Sequence, residues 1–138
     1  MDKLARYESF VNEKLKVDLQ QVLDRRDAIY DEISEYAKLR ESMKTIQGQE
    51  CITSMVDLGS NFYAQAKIPD TQYIYVSIGY GFHAQMTIPE ANAFIDRKQE
   101  HLQKKADKLT QESAKIKAHI KIVLEAMSEI LRLQSGEE

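Results

Sequence analysis

The side chains able to do acid–base, nucleophilic or metal chemistry are three histidines, His83, His101 and His119, a single cysteine, Cys51, and 22 carboxylates. Their spacing gathers none of that chemistry at one point. His83 falls in a stretch where large and small residues alternate. His101 and His119 are about 27 Å apart if the segment between them is helical, so the imidazoles cannot converge on one ion or one reacting atom. A lone cysteine excludes an internal disulfide and a cysteine-based zinc site and points to a reducing compartment, and Cys51 reads as a small apolar residue at a strand entrance. The carboxylates recur beside lysines and arginines at helical spacing, which is the pattern of solvated helix faces. Gly79-Tyr80-Gly81 follows an apolar run as a phosphate loop would, but such a loop opens a helix, and here another β-like run follows. No catalytic residue, cofactor-binding residue or metal ligand is expected, and the protein is expected not to be an enzyme.

The elements that would carry these residues are two helical arms around a β segment. From Leu4 to Gln47 there is no Pro or Gly, and apolar residues return every seven at Leu15, Val22, Ile29, Tyr36 and Met43. A second row reads Leu19, Arg26, Ile33, Arg40 and Gln47, so the spacing predicts a helix over 4–47 with a coiled-coil seam that holds two arginines. Gly48 is its stop signal. Thr87 and Glu90 have capping-box spacing around Pro89 and predict a second helix over 89–133, with sevens at Ile95, Leu102, Leu109, Ile116, Val123 and Ile130. Residues 134–138 read as a frayed tail. Each arm, about 65 Å long at 1.5 Å per residue, needs a partner along its length.

Between the arms, 51–88 holds four β-like runs, Ile52–Leu58, Phe62–Ile68, Tyr73–Ile78 and Phe82–Ile88, separated by turn residues. Connections this short force antiparallel pairing, as a meander or two hairpins. Both faces of the third run look apolar, and a four-stranded sheet here would have no second layer in its own chain. The segment is therefore read as an assembly platform carried by Val56, Leu58, Phe62, Ile74, Val76, Ile78 and Phe82. The fold class is α+β, a single domain in which a long antiparallel two-helix coiled coil bears two β-hairpins. Counting outward from the β end opposes Met43 to Ile95, Ile29 to Leu109 and Leu15 to Val123, with a slip of up to about four residues. The same count sets Arg26 against Glu112 as a charge pair that fixes the register. At the free ends Tyr7, Phe10 and Val11, and Ile130, Leu131 and Leu133, are candidate contacts for other chains, or else they widen the seam.

Composition narrows the partners. The net charge is −3 with both signs interleaved, which argues against direct nucleic-acid binding, and the patch Lys115, Lys117 and Lys121 reads as a solvated face. No run approaches the ~20 apolar residues of a membrane span, and no apolar leader follows Met1, so neither membrane insertion nor secretion is expected.

Several motifs carry a family resemblance: Val56-Asp57-Leu58-Gly59 with Asn61-Phe62, Pro69-Asp70-Thr71, Ile74-Tyr75-Val76 with Gly79-Tyr80-Gly81-Phe82, and Phe94-Ile95-Asp96-Arg97-Lys98. Leu23-Asp24-Arg25-Arg26-Asp27 and Ile116-Lys117-Ala118-His119-Ile120 extend it along the arms. In this order and context they resemble the α-class subunits of prefoldin, a chaperone whose β-class subunits carry one hairpin instead of two. The resemblance implies a non-catalytic cochaperone subunit of a hexamer, without cofactors, that holds unfolded or assembling clients at the tips of its coiled coils. It implies partners among α-class subunits of the URI type and β-class prefoldin-like subunits, association with the R2TP machinery, and a cytoplasmic and nuclear location. The alternative it allows is a coiled-coil adaptor acting as a transcription cofactor.

Overall fold

A computed structural model of the chain describes residues 2–136. The first arm comprises α1 (Asp2–Phe10), a π-helical turn (Val11–Leu15) and α2 (Lys16–Ile46). Four strands follow, β1 (Ile52–Gly59), β2 (Phe62–Ile68), β3 (Tyr73–Gly79) and β4 (Phe82–Thr87), and then α3 (Ile88–Ser135). The helical ends follow local chemistry. Gln47 N–H donates to Met43 O at 2.9 Å, and Gly48, at φ 87, takes the left-handed position that ends α2. At the start of α3 the Glu90 amide donates to Thr87 Oγ1 at 3.3 Å, and the Thr87 amide donates to Glu90 Oε2 at 3.2 Å. These two bonds close the capping box that the spacing of Thr87 and Glu90 predicts. α3 continues past the expected end at Leu133, through Ser135, whose hydroxyl donates to Arg132 O, and stops at the left-handed Gly136. Glu137 and Glu138 lie outside the described residues.

The strands form two separate antiparallel hairpins, β1 with β2 and β3 with β4, and β2 does not pair with β3. Of the meander and the two hairpins that the short connections allowed, the chain forms the two hairpins of the expected fold class. Ala64 pairs with Val56 in the first hairpin, and Ala84 with Val76 in the second. Each ribbon slips register just before its turn, at Asp57/Gly59 and at Ser77/Gly79. The turns Ser60-Asn61 and Tyr80-Gly81 have positive φ throughout, the geometry whose twist matches paired strands. In the first, Asp57 Oδ1 accepts the Gly59 amide at 2.8 Å.

The chain divides into two compact units, Met1–Ile33 with His101–Glu138, and Ser34–Glu100. In the second, Met43, Val76, Ile88, Ala91 and Ile95 form a buried cluster, flanked by Tyr36, Leu39, Ile74, Met86 and Phe94. Tyr36 and Phe94 meet edge to face with ring centroids 6.2 Å apart. In the first unit Leu15, Val22, Leu102, Ala106 and Ser113 are buried, and Leu19, Arg26, Ile29, Leu109, Ile116 and Val123 are half-buried around them. These are the heptad positions, so the seam read from the sequence is the packed one. Among the described residues, no helix is long and apolar enough to cross a membrane.

The π-helical turn shifts the phase of the seam at the start of the first arm. Extended upstream from Leu15, strict heptads would bring Asn12, Glu8 and Ala5 into the seam. The protein instead buries Val11 at 3% exposure and half-buries Leu4. Val11 to Leu15 is a step of four where the repeat calls for three, and the π turn spans those residues, absorbing the extra one. Deleting Asn12 should therefore leave helicity intact and hold the melting temperature within a few degrees. Deleting Ala28, which throws every later seam position out of phase, should lower it by about 10 °C or more; circular dichroism melts of both deletions check this. Ile95→Ala, which opens a cavity in the buried cluster, should cost about 2–5 kcal/mol in denaturant unfolding.

Candidate functional site

Alternation along a strand puts neighbouring side chains on opposite faces, and in β3 both faces carry large residues. Packing separates them: Ile74 and Val76 turn onto Met43, Ala91 and Ile95, and Tyr73 and Tyr75 stay exposed. Two of the expected platform residues, Ile74 and Val76, therefore belong to the chain's own core, Val76 at 3% exposure. The reason is that one face of the second hairpin rests on α2 and α3 and needs no other chain to cover it. The remaining platform residues are open: Val56, Leu58, Phe62, Ile78 and Phe82 are all exposed, Phe62 at 70%. Met55, Tyr63, Tyr73, Tyr75 and Tyr80 are exposed as well, although sequence patterning did not single them out. Their signal was the aromatic content of the runs, since exposed Tyr, Phe and Met mark interaction surface rather than solvated strand.

At the free ends Tyr7, Phe10, Leu131 and Leu133 are exposed, Leu133 at 74%, and Ile130 is half-buried. Val11 is corrected from client contact to seam residue, because the π turn rotates it onto the packed face. Val17, Ile122 and Leu124 add exposed apolar area that the heptad reading left unmarked.

The expected pairing of Arg26 with Glu112 does not form. Glu112 lies 3.9 Å from Arg25, and Arg26 Nη1 donates to Thr110 Oγ1 at 3.4 Å while its guanidinium stands 6.0 Å from the centre of the Tyr30 ring. A slip of one residue, within the allowance of the count, transfers the ion pair to the neighbouring arginine. Small residues make room for the half-buried Arg26: Ala106 and Ser113 are buried, Thr110 Oγ1 donates to Ala106 O at 3.0 Å, and Ser113 Oγ donates to Thr110 O at 2.8 Å. The second seam arginine, Arg40, pairs with Asp96, a partner that no heptad position announced. Among the described residues, no three His, Cys, Asp or Glu side chains are grouped so as to hold a metal ion. The surfaces can bind by burying apolar area, and they bring together no set of groups for proton or group transfer.

Two long helices around paired hairpins match the prefoldin subunit family model over residues 15–132. The chain belongs to the prefoldin subunit family. Among curated prefoldin relatives it is 42% identical to Protein UXT of Bos taurus, covering 99% of this chain and 89% of that protein. It is 41% identical to Protein UXT of Homo sapiens, covering 99% and 88%. A filamentous prefoldin from Methanocaldococcus jannaschii shares the fold with a TM-score of 0.72 at 17% identity, covering 86% of this chain and 98% of the other. Membership of this family supports a chaperone-like role.

The stem contacts of this prefoldin fold can be ranked by double-mutant cycles read in denaturant unfolding. Arg40→Ala with Asp96→Ala should couple most strongly, by about 0.5 kcal/mol or more, because Arg40 is the less exposed arginine. Arg25→Ala with Glu112→Ala should couple by less, since both side chains are more than half exposed. Arg26→Ala with Glu112→Ala should be additive.

Proposed function

We propose that the chain is a non-catalytic cochaperone subunit of a prefoldin-like hetero-hexamer of the URI/R2TP-associated type, which holds or delivers unfolded or unassembled clients. One observation supports this reading above the others. The chain completes a core with one face of its second hairpin and leaves Val56, Leu58, Phe62, Ile78 and Phe82 open, on four short strands with unpaired edges. Contiguous exposed apolar residues and free strand edges are what a subunit offers to neighbouring chains, since main-chain pairing and apolar burial then act together. On this reading the neighbours are α-class, URI-type and β-class prefoldin-like subunits, and the location is cytoplasmic and nuclear. Clients bind at the arm ends through Tyr7, Phe10, Leu131 and Leu133, where dispersed apolar contacts suit varied chains.

Phe62→Asp combined with Phe82→Asp should leave helicity and melting temperature unchanged and abolish co-elution with α-class and β-class prefoldin partners. Val76→Asp should also lower the melting temperature, because it puts a carboxylate into the chain's own core. A double variant that still forms the hexamer overturns the assembly role of the hairpins. Changing Tyr7, Phe10, Leu131 and Leu133 together to Ser should preserve assembly and weaken suppression of aggregation of a chemically unfolded test protein, without ATP dependence in either form. If a stable dimer with one dedicated protein ligand forms in place of a hexamer, the chain is a coiled-coil adaptor, the arrangement a transcription cofactor would use.

A further inference from the structure

Away from the seam, each of the two long helices has one exposed row whose charged residues are of a single sign, basic on α3 and acidic on α2. On α3, steps of three and four residues place His101, Lys104, Lys108, Gln111, Lys115 and His119 in one exposed row that includes no carboxylate. On α2 the corresponding outer row holds Asp24, Asp27 and Asp31, all exposed. Three lysines of the first arm are matched within their own helix: Lys14 with Asp18, Lys38 with Glu35, and Lys44 with Glu41. Lys108, Lys115, Asp27 and Asp31 have no ion-pair partner among the described residues. The contacts of Arg25 with Glu112 and of Arg26 with Thr110 set the two rows at the same level on opposite sides of the arm. Continuing that register puts Lys108 level with the interval between Asp27 and Asp31, and Lys115 within a helical turn of Asp24.

We infer that the row of Lys108 and Lys115 on α3 is a docking face for a second copy of this chain, which presents Asp24, Asp27 and Asp31 of its α2. The occupant follows from charge complementarity and similar height: two arms standing side by side in the same orientation bring each lysine row against an aspartate row with an offset of less than about one helical turn, which long lysine side chains span. The contact is heterologous, so each arm offers one charged face to either side. A nucleic acid fits the surface less well, because the aspartate row on the same arm would repel it. Exposed pairs of this kind are individually weak, so in free solution the contact is transient, and it strengthens when copies are held close together. It is independent of the hairpin assembly proposed above, since no residue of 51–88 takes part.

The test uses the full chain alone, mixed from ordinary and nitrogen-15-labelled protein at a concentration on the order of 0.1 mM, where weak pairs are populated. Carbodiimide coupling of amines to carboxylates is followed by mass spectrometry, and mixed-isotope products report contacts between chains. Peptides containing Lys108 or Lys115 should be joined to peptides containing Asp24, Asp27 or Asp31 of the other chain. The yield should fall at least about threefold between 0.05 and 0.5 M salt, as screening shortens the reach of each charge. The double variant Lys108→Glu with Lys115→Glu, and separately Asp27→Lys with Asp31→Lys, should each lose these products, and mixing the two variants should restore them. All four positions are exposed, so unchanged circular dichroism confirms that the variants fold. Absence of mixed-isotope products in the unaltered chain, their persistence in both variants, or failure of the mixture to restore them overturns the proposal. Binding of duplex DNA through the lysine row with no inter-chain product would assign that face to nucleic acid and overturn it equally.

Discussion

The stem depends on burying a narrow apolar seam while holding two guanidinium groups inside it. Arg26 and Arg40 occupy seam positions, and the Nε of each is buried with no hydrogen-bond partner among the described residues. Leaving a buried donor unpaired costs on the order of 1–3 kcal/mol, so arginines at these positions are not there to maximise stability. What they do is restrict alternatives. Arg26 fits where α3 offers Ala106, Thr110 and Ser113, and Arg40 fits where it offers Asp96. Sliding one helix by a heptad would press a guanidinium onto an apolar neighbour, whereas an all-aliphatic seam would tolerate the slip. Polar seam residues specify register by the same physics in other coiled coils.

The hairpins follow from how little apolar surface the chain can cover by itself. With 30% charged residues and one narrow seam, there is no second layer for a sheet. The second hairpin solves this by laying Ile74, Val76 and Met86 on the ends of α2 and α3 that carry Met43, Ala91 and Ile95. The first hairpin has no buried residue at all, and its Val56, Leu58, Phe62 and Tyr63 remain open. The two ribbons, similar in length and turn geometry, thus take different roles: the second secures the β segment to the arms, and the first is surface. Any substitution meant to probe the surface must avoid the residues of β3 that face inward.

Where the arms end, the π-helical turn matters more than a local irregularity would. By absorbing one extra residue between Val11 and Leu15 it exchanges a polar continuation of the seam for an apolar one. It thereby sorts Val11 into the packed face and leaves Tyr7 and Phe10 outside it. The exposed aromatics of the arm are thus a product of helix phase as much as of composition.

Periodicity and punctuation were legible in the sequence because they are properties of a single segment. Sevens from Leu15 to Met43 and from Ile95 to Ile130 gave the seam, Thr87 with Glu90 gave the start of α3, Gly48 gave the end of α2, and the Gly- and Asn-containing turns gave two hairpins. None of these needs knowledge of what lies opposite. Questions of partnership needed the tertiary structure. Alternation made both faces of β3 equally apolar, and only contact with Met43 and Ile95 decided that Val76 is inside and Tyr75 outside. Counting placed Arg26 near Glu112, but a shift of one residue leaves the seam pattern unchanged while moving the ion pair to Arg25. The offset at Val11 was hidden for the same reason: a heptad reading assumes a constant 3.5 residues per turn, and the π turn changes the phase of every residue before it.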